Sequence, residues 1–463
     1  MKSSKPKLLH TFGGRSILGH VLAMARATGP DRLIVVVGHA RERVAAHVKD
    51  IAPEAILVTQ ERQGGTGHAV RTVIEALGPI GGTIVVANGD NPLITTETCD
   101  DLVNGHAAGG YAGTVLTARV PTPRGYGRIR RDSTGAFTGI VEEADATEHD
   151  RAIDEINSGW YAFHGALLAD VIKRIPTDNA QGQEYITDAI EILRLDGHRV
   201  GTVLARDPAE IEGVNDRAFL AQARRTFNAR ILDRWMRSGV TIFDPATTWI
   251  DVDVRIGQDT EIGPGTQLEG ATSIGANAII GPHTRLSNTT VGDGASITHA
   301  VCVDAEIGPN ATVGPYAYLR PGTRILDGAH IGCHVELKNS TVHEGAKVPH
   351  LTYAGDADIG AHTNIGAGTI FANYDGAAKN PTTIGEHAFV GSNSVLVAPV
   401  SIGDGAYVAA GSAIDTDVPP GALGIARGRE HISEDWVERK RPGTPAAEAA
   451  SRVRSETSGG NEA

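Results

Sequence analysis

Cysteine is scarce in this chain, and its sequence has no long apolar run. Cys99, Cys302 and Cys333 are the three cysteines among 463 residues. An odd and widely spaced set argues against a disulfide framework or a zinc ribbon and fits a reducing cytoplasm. No apolar run reaches the ~18 residues that a membrane-spanning helix needs. The polar start, from Met1 to Lys7, is unlike a secretory signal.

Aromatic residues and positive charge are also in short supply. Aromatics make up 5% of the chain, and the net charge is −13, a poor match to a nucleic-acid backbone. Glycine, by contrast, accounts for 57 residues, well above the usual ~7%. A core built mainly from small and aliphatic side chains predicts a repetitive β architecture.

Aliphatic side chains recur every six residues through the second half, with one-residue slips between runs. The series starts at Ile256, takes in Val303 and ends at Ile414. A period of six fits neither an amphipathic helix nor an alternating strand. It indicates a parallel β-helix of about eight or nine coils, with three hexapeptides per coil. The interruption between Phe371 and Ile384 predicts a loop that projects from the solenoid.

The first half alternates strand-like and helical patterns. The predicted strands are Leu33–Val37, Ile56–Thr59, Thr83–Ala87, Thr114–Val120 and Val200–Ala205, and the predicted helices are Ser16–Ala27, Arg41–Ala52, His68–Leu77 and Thr98–Ala107. This alternation predicts an α/β fold with a doubly wound, mainly parallel sheet. The chain is thus expected to form a sheet domain over 1–215, a linker helix over 216–238, a β-helix domain over 239–437 and a disordered tail over 438–463.

Three short motifs of the first half suit phosphate chemistry, although each also has an ordinary structural interpretation. Asn88-Gly89-Asp90 follows a strand, where its carboxylate can hold Mg²⁺ against a phosphate or simply form a turn. Gln63-Gly64-Gly65-Thr66-Gly67-His68 opens a helix, where backbone N–H groups can bind an anion or only cap the helix. Lys5-Pro6-Lys7 offers charges for phosphates or forms a solvated basic patch.

These motifs and several others occur in the same order as the motifs of a known family, which this sequence resembles. The segments that carry the resemblance are Lys5–His10, Gln63–Ala69, Gly89-Asp90, Gly125–Ile129, Ile140–Glu142 and Glu212–Asn215, followed by the hexapeptide repeats. Together they resemble the bifunctional N-acetylglucosamine-1-phosphate uridylyltransferase / glucosamine-1-phosphate acetyltransferase family over residues 1 to 437. The resemblance implies a Rossmann-like nucleotidyltransferase sheet domain followed by a left-handed parallel β-helix of hexapeptide repeats.

For the sheet domain, the resemblance implies uridylyl transfer from UTP to N-acetylglucosamine 1-phosphate. By matching motif, Asp90 and Asn215 would hold Mg²⁺, and Lys7 would face the phosphates. The residues expected at the uracil side are Gln60, Gly65 and Thr66, and those expected at the sugar are Gly127, Glu142 and Asn157. Asn88 departs from the Ser or Tyr that the family often has there.

For the solenoid, the resemblance implies acetyl transfer from acetyl-CoA to the amine of glucosamine 1-phosphate. The matching segments are Tyr318–Gly322, Val335–Lys338, Lys347–Asp356, Ile365–Thr369 and Asn373–Gly376. The amine must lose a proton, so His350 is expected to be the general base, oriented by Glu336, while Asn373 donates to the thioester oxygen. The expected sugar-phosphate ligands are Arg320, Lys338, Tyr353, Asn364 and Lys379, and acetyl-CoA is expected to lie along Ala367, Asn373, Tyr374, Ser392, Ala410 and Arg427.

Two other interpretations of the solenoid are disfavoured. Zinc could bind His330, His334, His343 and His350, but zinc ligands converge on one point and these residues are predicted to lie on different faces and turns. A regulatory scaffold with a vestigial nucleotide fold has no reason to keep His350, Glu336, Asn373 and Lys338 together.

The start of the sequence affects the uridylyl transfer that we expect from the sheet domain. Met1 aligns just after the Gly-rich loop, of the form Leu-x-x-Gly-x-Gly-Thr-Arg, that cradles the nucleotide phosphates in the family. Without those backbone donors we expect weak or lost uridylyl transfer, which makes an acetyltransferase alone the alternative function. In either case we expect a cytoplasmic homotrimer joined through the β-helix. It would act on small molecules that feed cell-wall precursors and bind neither nucleic acid nor membrane.

Overall fold

The computed structural model describes residues 1–177 and 182–458. The chain divides into two compact units, Met1–Gly328 and Ala329–Ala463. The first unit holds the sheet region, a long helix and the first coils of the solenoid. The second holds the later coils and the C-terminal segment.

The described part of the sheet region contains seven α-helices, and the first four lie where the sequence predicts helices. They are α1 (Ile17–Ala27), α2 (Arg41–Ile51), α3 (Thr66–Leu77), α4 (Thr96–Gly109), α5 (Glu148–Arg151), α6 (Gly165–Val171) and α7 (Ile186–Leu195), with 3-10 turns at Lys7–Leu9, Ile172–Arg174 and Pro208–Ile211. Side-chain caps fix three of the starts: Ser16 Oγ accepts from the backbone N–H of Gly19, Thr95 Oγ1 from that of Thr98, and Thr147 Oγ1 from that of Asp150.

The strands of this region form a mixed rather than a mainly parallel sheet. They are β1 (Thr11–Phe12), β2 (Arg15–Ser16), β3 (Ile34–Val37), β4 (Ile56–Thr59), β5 (Thr83–Val86), β6 (Gly113–Arg119), β7 (Arg128–Arg131), β8 (Phe137–Val141), β9 (Glu155–His164) and β10 (Val200–Leu204). β6 is parallel to β10, but the long strand β9 runs antiparallel to both β5 and β6. The parallel pair β3–β4 forms a separate sheet. The α/β class is confirmed, and the mainly parallel sheet is wrong because β9 opposes its neighbours.

A long helix, α8 (Arg217–Arg237), follows the sheet region in the stretch predicted to be a linker helix. Asp216 caps it by accepting from two backbone N–H groups of its first turn. The buried amide of Asn228 then bridges to the first coil: it donates to the Thr248 carbonyl at 2.8 Å and accepts from the Ile250 N–H at 3.1 Å. These two bonds fasten α8 to the start of the solenoid.

The first unit contains three parallel faces of short solenoid strands. The strands are β11 (Thr241–Ile242), β12 (Trp249–Ile250), β13 (Arg255–Ile256), β14 (Glu261–Ile262), β15 (Gln267–Glu269), β16 (Ser273–Ile274), β17 (Ile279–Ile280), β18 (Arg285–Ser287), β19 (Thr290–Val291), β20 (Ser296–Ile297), β21 (Val301–Val303), β22 (Glu306–Ile307), β23 (Thr312–Val313), β24 (Tyr318–Leu319) and β25 (Arg324–Ile325). Each strand from β11 to β22 pairs in parallel with the third strand after it. This pairing is that of a β-helix with one strand per face in every coil.

The six-residue series marks the buried core of these coils with one error. Cys302, not Val303, points inward, because Cys302 is the residue in register with Leu286 and Leu319. The coils begin before the first residue of the six-residue series: Ile242 and Ile250 already occupy buried inward positions.

The second unit continues the same pattern. Its strands are β26 (His330–Cys333), β27 (Glu336–Lys338), β28 (Thr341–Val342), β29 (Lys347–His350), β30 (Tyr353–Gly355), β31 (Ala357–Ile359), β32 (Asn364–Ile365), β33 (Ile370–Ala372), β34 (Thr382–Ile384), β35 (Phe389–Val390), β36 (Val395–Val397), β37 (Val400–Ile402), β38 (Tyr407–Val408), β39 (Ala413–Ile414) and β40 (Leu423–Gly424). The predicted interruption is the connection between β33 and β34.

Between residues 438 and 458 the chain forms helix where disorder is predicted, while residues 459–463 of the predicted tail lie outside the described residues. It contains α9 (Trp436–Lys440) and α10 (Pro445–Ser458), and an ion pair joins Arg454 to Asp435. Alanine and glutamate are common in α10, and both are good helix formers, so the composition that suggested disorder also suits a helix.

Candidate active sites

The first cluster of predicted residues lies where β5 ends. The Lys7 ammonium is 2.5 Å from Asp90 Oδ2 and 3.0 Å from Asn215 Oδ1. The backbone N–H of Val214 donates to the Asp90 carbonyl at 3.0 Å and so holds the loop that carries Asn215 beside the strand end. Two hard oxygen ligands thus converge on one positive charge, and such a pair also suits a divalent cation that completes its shell with water and phosphate oxygens.

The Gly-rich loop before α3 is fixed from two directions. Gln60 Nε2 donates to the Gly65 carbonyl at 3.1 Å, and Thr66 Oγ1 accepts from the Ile186 N–H. Reciprocal backbone bonds of 2.8 Å tie Gly64 and Gly67 to Glu184, whose carboxylate pairs with Arg71. Sequence analysis missed Glu184, since nothing in its local sequence shows that it meets a loop about 120 positions away.

Gly65 must be glycine at this loop. Its φ is +106°, and a Cβ there would lie 2.4 Å from the Glu184 carbonyl oxygen. The loop therefore presents its backbone at the start of α3, the position expected for the uracil side of a nucleotide pocket.

The three residues predicted to bind the sugar lie together around β9. The Asn157 N–H donates to the Gly127 carbonyl at 2.9 Å, and a Cβ on Gly127 would lie 3.3 Å from Glu142 Oε2. Burial, followed by the nearby charges of Asp188 and Asp145, raises the pKa of Glu142. A carboxyl in this setting is suited to hydrogen bonding with a neutral sugar hydroxyl.

In the second unit, the general base predicted from sequence lies at the end of β29. His350 is exposed, and its carbonyl accepts from Thr352 Oγ1 at 2.9 Å and from the Gly368 N–H at 3.3 Å. These bonds fix the backbone that carries the imidazole. Glu336 begins β27, half-buried and in register with Tyr353 of β30.

Lys338 and Asn373 meet at a residue to which the sequence assigned no role. The carboxylate of Asp356 accepts from Lys338 Nζ at 2.9 Å and from Asn339 Nδ2 at 2.7 Å on one oxygen, and from Asn373 Nδ2 at 2.6 Å on the other. Tyr353 OH is 3.5 Å from Asn373 Oδ1. Three predicted ligands from three successive coils thus share one network.

The residues predicted to line the acetyl-CoA groove form a column along one corner of the coils. The Ala367 carbonyl accepts from the Asn393 N–H at 2.7 Å, and the Ser392 carbonyl accepts from the Gly411 N–H at 2.8 Å. The guanidinium of Arg427 closes the column by donating to the Ala410 carbonyl at 3.0 Å.

The projecting loop beside this column has its own internal bonds. Asp375 Oδ1 accepts from the N–H groups of Ala377 and Ala378, and Tyr374 bridges to Lys379 through the backbone. The Tyr374 ring remains exposed. An ordered loop with an exposed aromatic ring suits recognition of a flat or extended ligand.

Asn364 and Arg320 complete the set of predicted sugar-phosphate ligands. Asn364 begins β32, in register with Lys347 and Phe389. Arg320 follows β24 in the first unit, where its carbonyl accepts from the Thr323 N–H.

Two further findings concern metal binding and membrane association. Within residues 1–177 and 182–458, no group of three or more His, Cys, Asp or Glu side chains could hold a metal ion. No helix of the described chain is both long and apolar enough to cross a membrane.

Comparison with known proteins extends these observations. The family model of the MobA-like NTP transferase domain matches residues 1–153. The bacterial transferase hexapeptide model matches 253–288 and 304–339, and the hexapeptide repeat of succinyl-transferase matches 381–416. Fold and matches together define a nucleotidyltransferase joined to a hexapeptide-repeat transferase.

Full-length relatives make the assignment more specific. The chain is 59% identical to the bifunctional protein GlmU of Thermobifida fusca, over 98% of this chain and 95% of that protein. It is 54% identical to that of Streptomyces coelicolor, over 99% and 96% of the two chains. It is 48% identical to the bifunctional protein GlmU of Corynebacterium glutamicum strain ATCC 13032, over 97% of this chain and 94% of that protein. The chain belongs to the GlmU family of bifunctional proteins.

Family membership confirms the activities that the resemblance implied. The chain is an enzyme with glucosamine-1-phosphate N-acetyltransferase and N-acetylglucosamine-1-phosphate uridylyltransferase activities, and the second requires a divalent metal. The alternative of an acetyltransferase alone is not favoured, because the nucleotidyltransferase domain is present over residues 1–153.

Proposed function

We propose that each activity uses the cluster of predicted residues found in its own unit. The observation that carries this proposal is that residues far apart in sequence converge: Lys7, Asp90 and Asn215 in the first unit, and Lys338, Tyr353 and Asn373 in the second. The corresponding domain limits are 1–215, 216–238 and 239–437.

In uridylyl transfer, a phosphate oxygen of N-acetylglucosamine 1-phosphate attacks the α-phosphorus of UTP, and pyrophosphate leaves. Mg²⁺ held by Asp90 and Asn215 would supply charge neutralisation. Lys7 would face the phosphates, and Gln60, Gly65 and Thr66 would hold the uracil. Gly127, Glu142 and Asn157 would orient the sugar so that its phosphate lies in line for attack.

In acetyl transfer, the amine of glucosamine 1-phosphate attacks the thioester carbonyl. His350 would take the amine proton, with Glu336 orienting the imidazole, and CoA leaves as the thiol once it gains a proton. Asn373 would donate to the carbonyl oxygen as negative charge develops on it. Lys338, Tyr353, Asn364 and Lys379 would hold the sugar phosphate, and Tyr374, Ala367, Ser392, Ala410 and Arg427 would line the path of CoA.

The working form proposed is a cytoplasmic homotrimer that supplies cell-wall precursors. Within each unit, one face of the coils exposes polar side chains alone: Arg255, Ser273, Thr290, Glu306 and Arg324 in the first unit, and Thr341, Asp358, Thr383 and Ser401 in the second. The other two faces of each unit expose apolar side chains among polar ones: Ile279, Val301 and Tyr318 in the first unit, and Ile370, Phe389, Val397, Tyr407 and Leu423 in the second. In a trimer of three-sided β-helices around a threefold axis, each chain contacts its neighbours through two faces and leaves the third face in solvent. One wholly polar face and two faces with exposed apolar side chains match this arrangement.

The test is to assay both half-reactions on the purified full chain. UDP-N-acetylglucosamine should form from glucosamine 1-phosphate, acetyl-CoA and UTP, and chelation of divalent metal should stop only the uridylyl step. Acetyl transfer that depended on the metal, or a uridylyl step that did not, would contradict the assignment.

A further inference from the structure

Asp356 connects two parts of the acetyl-transfer site. One of its carboxylate oxygens accepts from the Lys338 ammonium, and the other accepts from the Asn373 amide. Lys338 is expected at the sugar phosphate and Asn373 at the thioester oxygen, so one carboxylate touches a ligand of each substrate. The sequence suggests no role for it.

We propose that Asp356 is a positioning residue for acetyl transfer, which holds Lys338 and Asn373 in one fixed relative geometry. This inference rests on the proposed function of the second unit. Asp356 need not touch either substrate itself, because it acts through the two side chains that it holds.

The carboxylate also fixes which way the Asn373 amide points. An ionised carboxylate only accepts hydrogen bonds, so the NH₂ group of Asn373 must face Asp356 and the Oδ1 atom must face Tyr353. Burial would raise the pKa of Asp356, but hydrogen bonds from Asn339, Lys338 and Asn373 more than offset it, so the pKa lies below its usual value. Asp356 therefore remains an acceptor at neutral pH, and the second N–H of Asn373 is left for another acceptor.

Asp356 also has a structural role from which the proposed one must be separated. Its φ is +53°, it lies at a corner of the coil, and it bonds to Asn339 of the preceding coil, whose φ is +48°. Asparagine adopts this left-handed conformation readily. Asp356→Asn therefore keeps the corner and the side-chain volume while removing the charge. The side-chain amide introduced by Asp356→Asn has one acceptor oxygen for the three donors Lys338, Asn339 and Asn373. Its own NH₂ group must therefore face one of these donors.

The experiment measures steady-state kinetics of acetyl transfer for Asp356→Asn, with Asp358→Asn as the matched control. Asp358 lies two residues further on, on the polar face, and pairs with His343. We expect kcat/KM of Asp356→Asn to fall by about 10- to 100-fold, mainly in kcat, as for a small misplacement of reacting groups. Uridylyl transfer and the thermal midpoint should be unchanged, and Asp358→Asn should match the wild type.

A double-mutant cycle guards against a purely structural effect. If Asp356 acts through Asn373, adding Asp356→Asn to Asn373→Ala should cost less than it does alone. Wild-type kinetics of Asp356→Asn would overturn the proposal. A parallel loss of stability and of both activities would also overturn it, by showing a structural role only. A wild-type chain without acetyl transfer would instead contradict the proposed function.

Discussion

The Lys7 ammonium lies 2.5 Å from the carboxylate of Asp90, between the two oxygens predicted to hold a divalent metal. An ammonium and a metal ion cannot occupy the same position. Lys7 must therefore move away when metal binds, and in moving it can reach the phosphates that the metal neutralises. One residue would thus oppose metal binding and assist the chemistry.

A first prediction concerns Lys7→Met. Removing the competing ammonium should tighten Mn²⁺ binding by about three- to tenfold, the order of a partly exposed ion pair, while uridylyl transfer slows. Mn²⁺ binding followed by electron paramagnetic resonance measures the first effect. Lys5→Met, two residues away and exposed, should change neither. Weaker metal binding in Lys7→Met would show that the lysine does not compete for this site.

A second prediction concerns the loop that carries Gly65. Gly65→Ala combines a φ of +106° with a Cβ that would lie 2.4 Å from the Glu184 carbonyl oxygen. It should raise the KM for UTP at least about tenfold, because the loop must move away from Glu184. Gly78→Ala is the control: its φ is +75°, but nothing lies within 4 Å of its Cβ. That variant should lose about 1–3 kcal/mol of stability from backbone strain and keep its KM. Equal KM values in both variants would contradict this account.

A third prediction concerns pH and His20, which packs between Phe12 and Phe227. Burial lowers the pKa of His20 to about 4, although a bond to the Phe12 carbonyl acts in the opposite direction. Between pH 6.5 and 4 the unfolded chain binds a proton that the folded chain does not. Stability from this residue is therefore present above pH 6.5 and falls with pH, by about 2 kcal/mol at pH 5.

His20→Phe isolates this effect, because it keeps a ring in place without a titrating group. Urea unfolding at pH 7 and pH 5 should show the wild type losing about 2 kcal/mol more than the variant between the two conditions. The same pH dependence in both proteins would show that His20 is protonated without cost.

A fourth prediction concerns assembly. Tyr407 stacks on Phe389 with ring centroids 5.4 Å apart, and both rings are exposed on the same face of the second unit. Tyr407→Lys should convert a trimer of three 48.4 kDa chains into smaller species, because a charge would be buried in the interface. Thr383→Lys, on the polar face, should leave the trimer intact. Light scattering distinguishes the two, and a monomeric wild type would contradict the proposed assembly.

The sequence predicted the repetitive features of this molecule well. The six-residue period located the inward positions because each coil buries one side chain per face, and it erred at Val303 because a slip in phase can be placed one residue early or late. It did not predict the strands β7, β8 and β9, and the antiparallel pairing of β9 leaves no mark on the order of strands and helices.

Local sequence patterns could not predict the long-range contacts of the sites. Glu184 meets the Gly-rich loop from another part of the chain, and Asp356 meets Asn339 and Asn373 only because successive coils stack 17 residues apart. A motif search finds residue types at fixed spacing, whereas these partners are defined by the fold.

The central claim is that one chain carries two independent active sites, and reciprocal inactivation tests it most directly. His350→Ala should cut acetyl transfer by about 10²- to 10⁴-fold, the usual range for a general base, and leave uridylyl transfer unchanged. Asp90→Asn should cut uridylyl transfer by about 10²-fold or more and leave acetyl transfer unchanged. Near-full acetyl transfer by His350→Ala, or loss of both activities in either variant, would contradict the account.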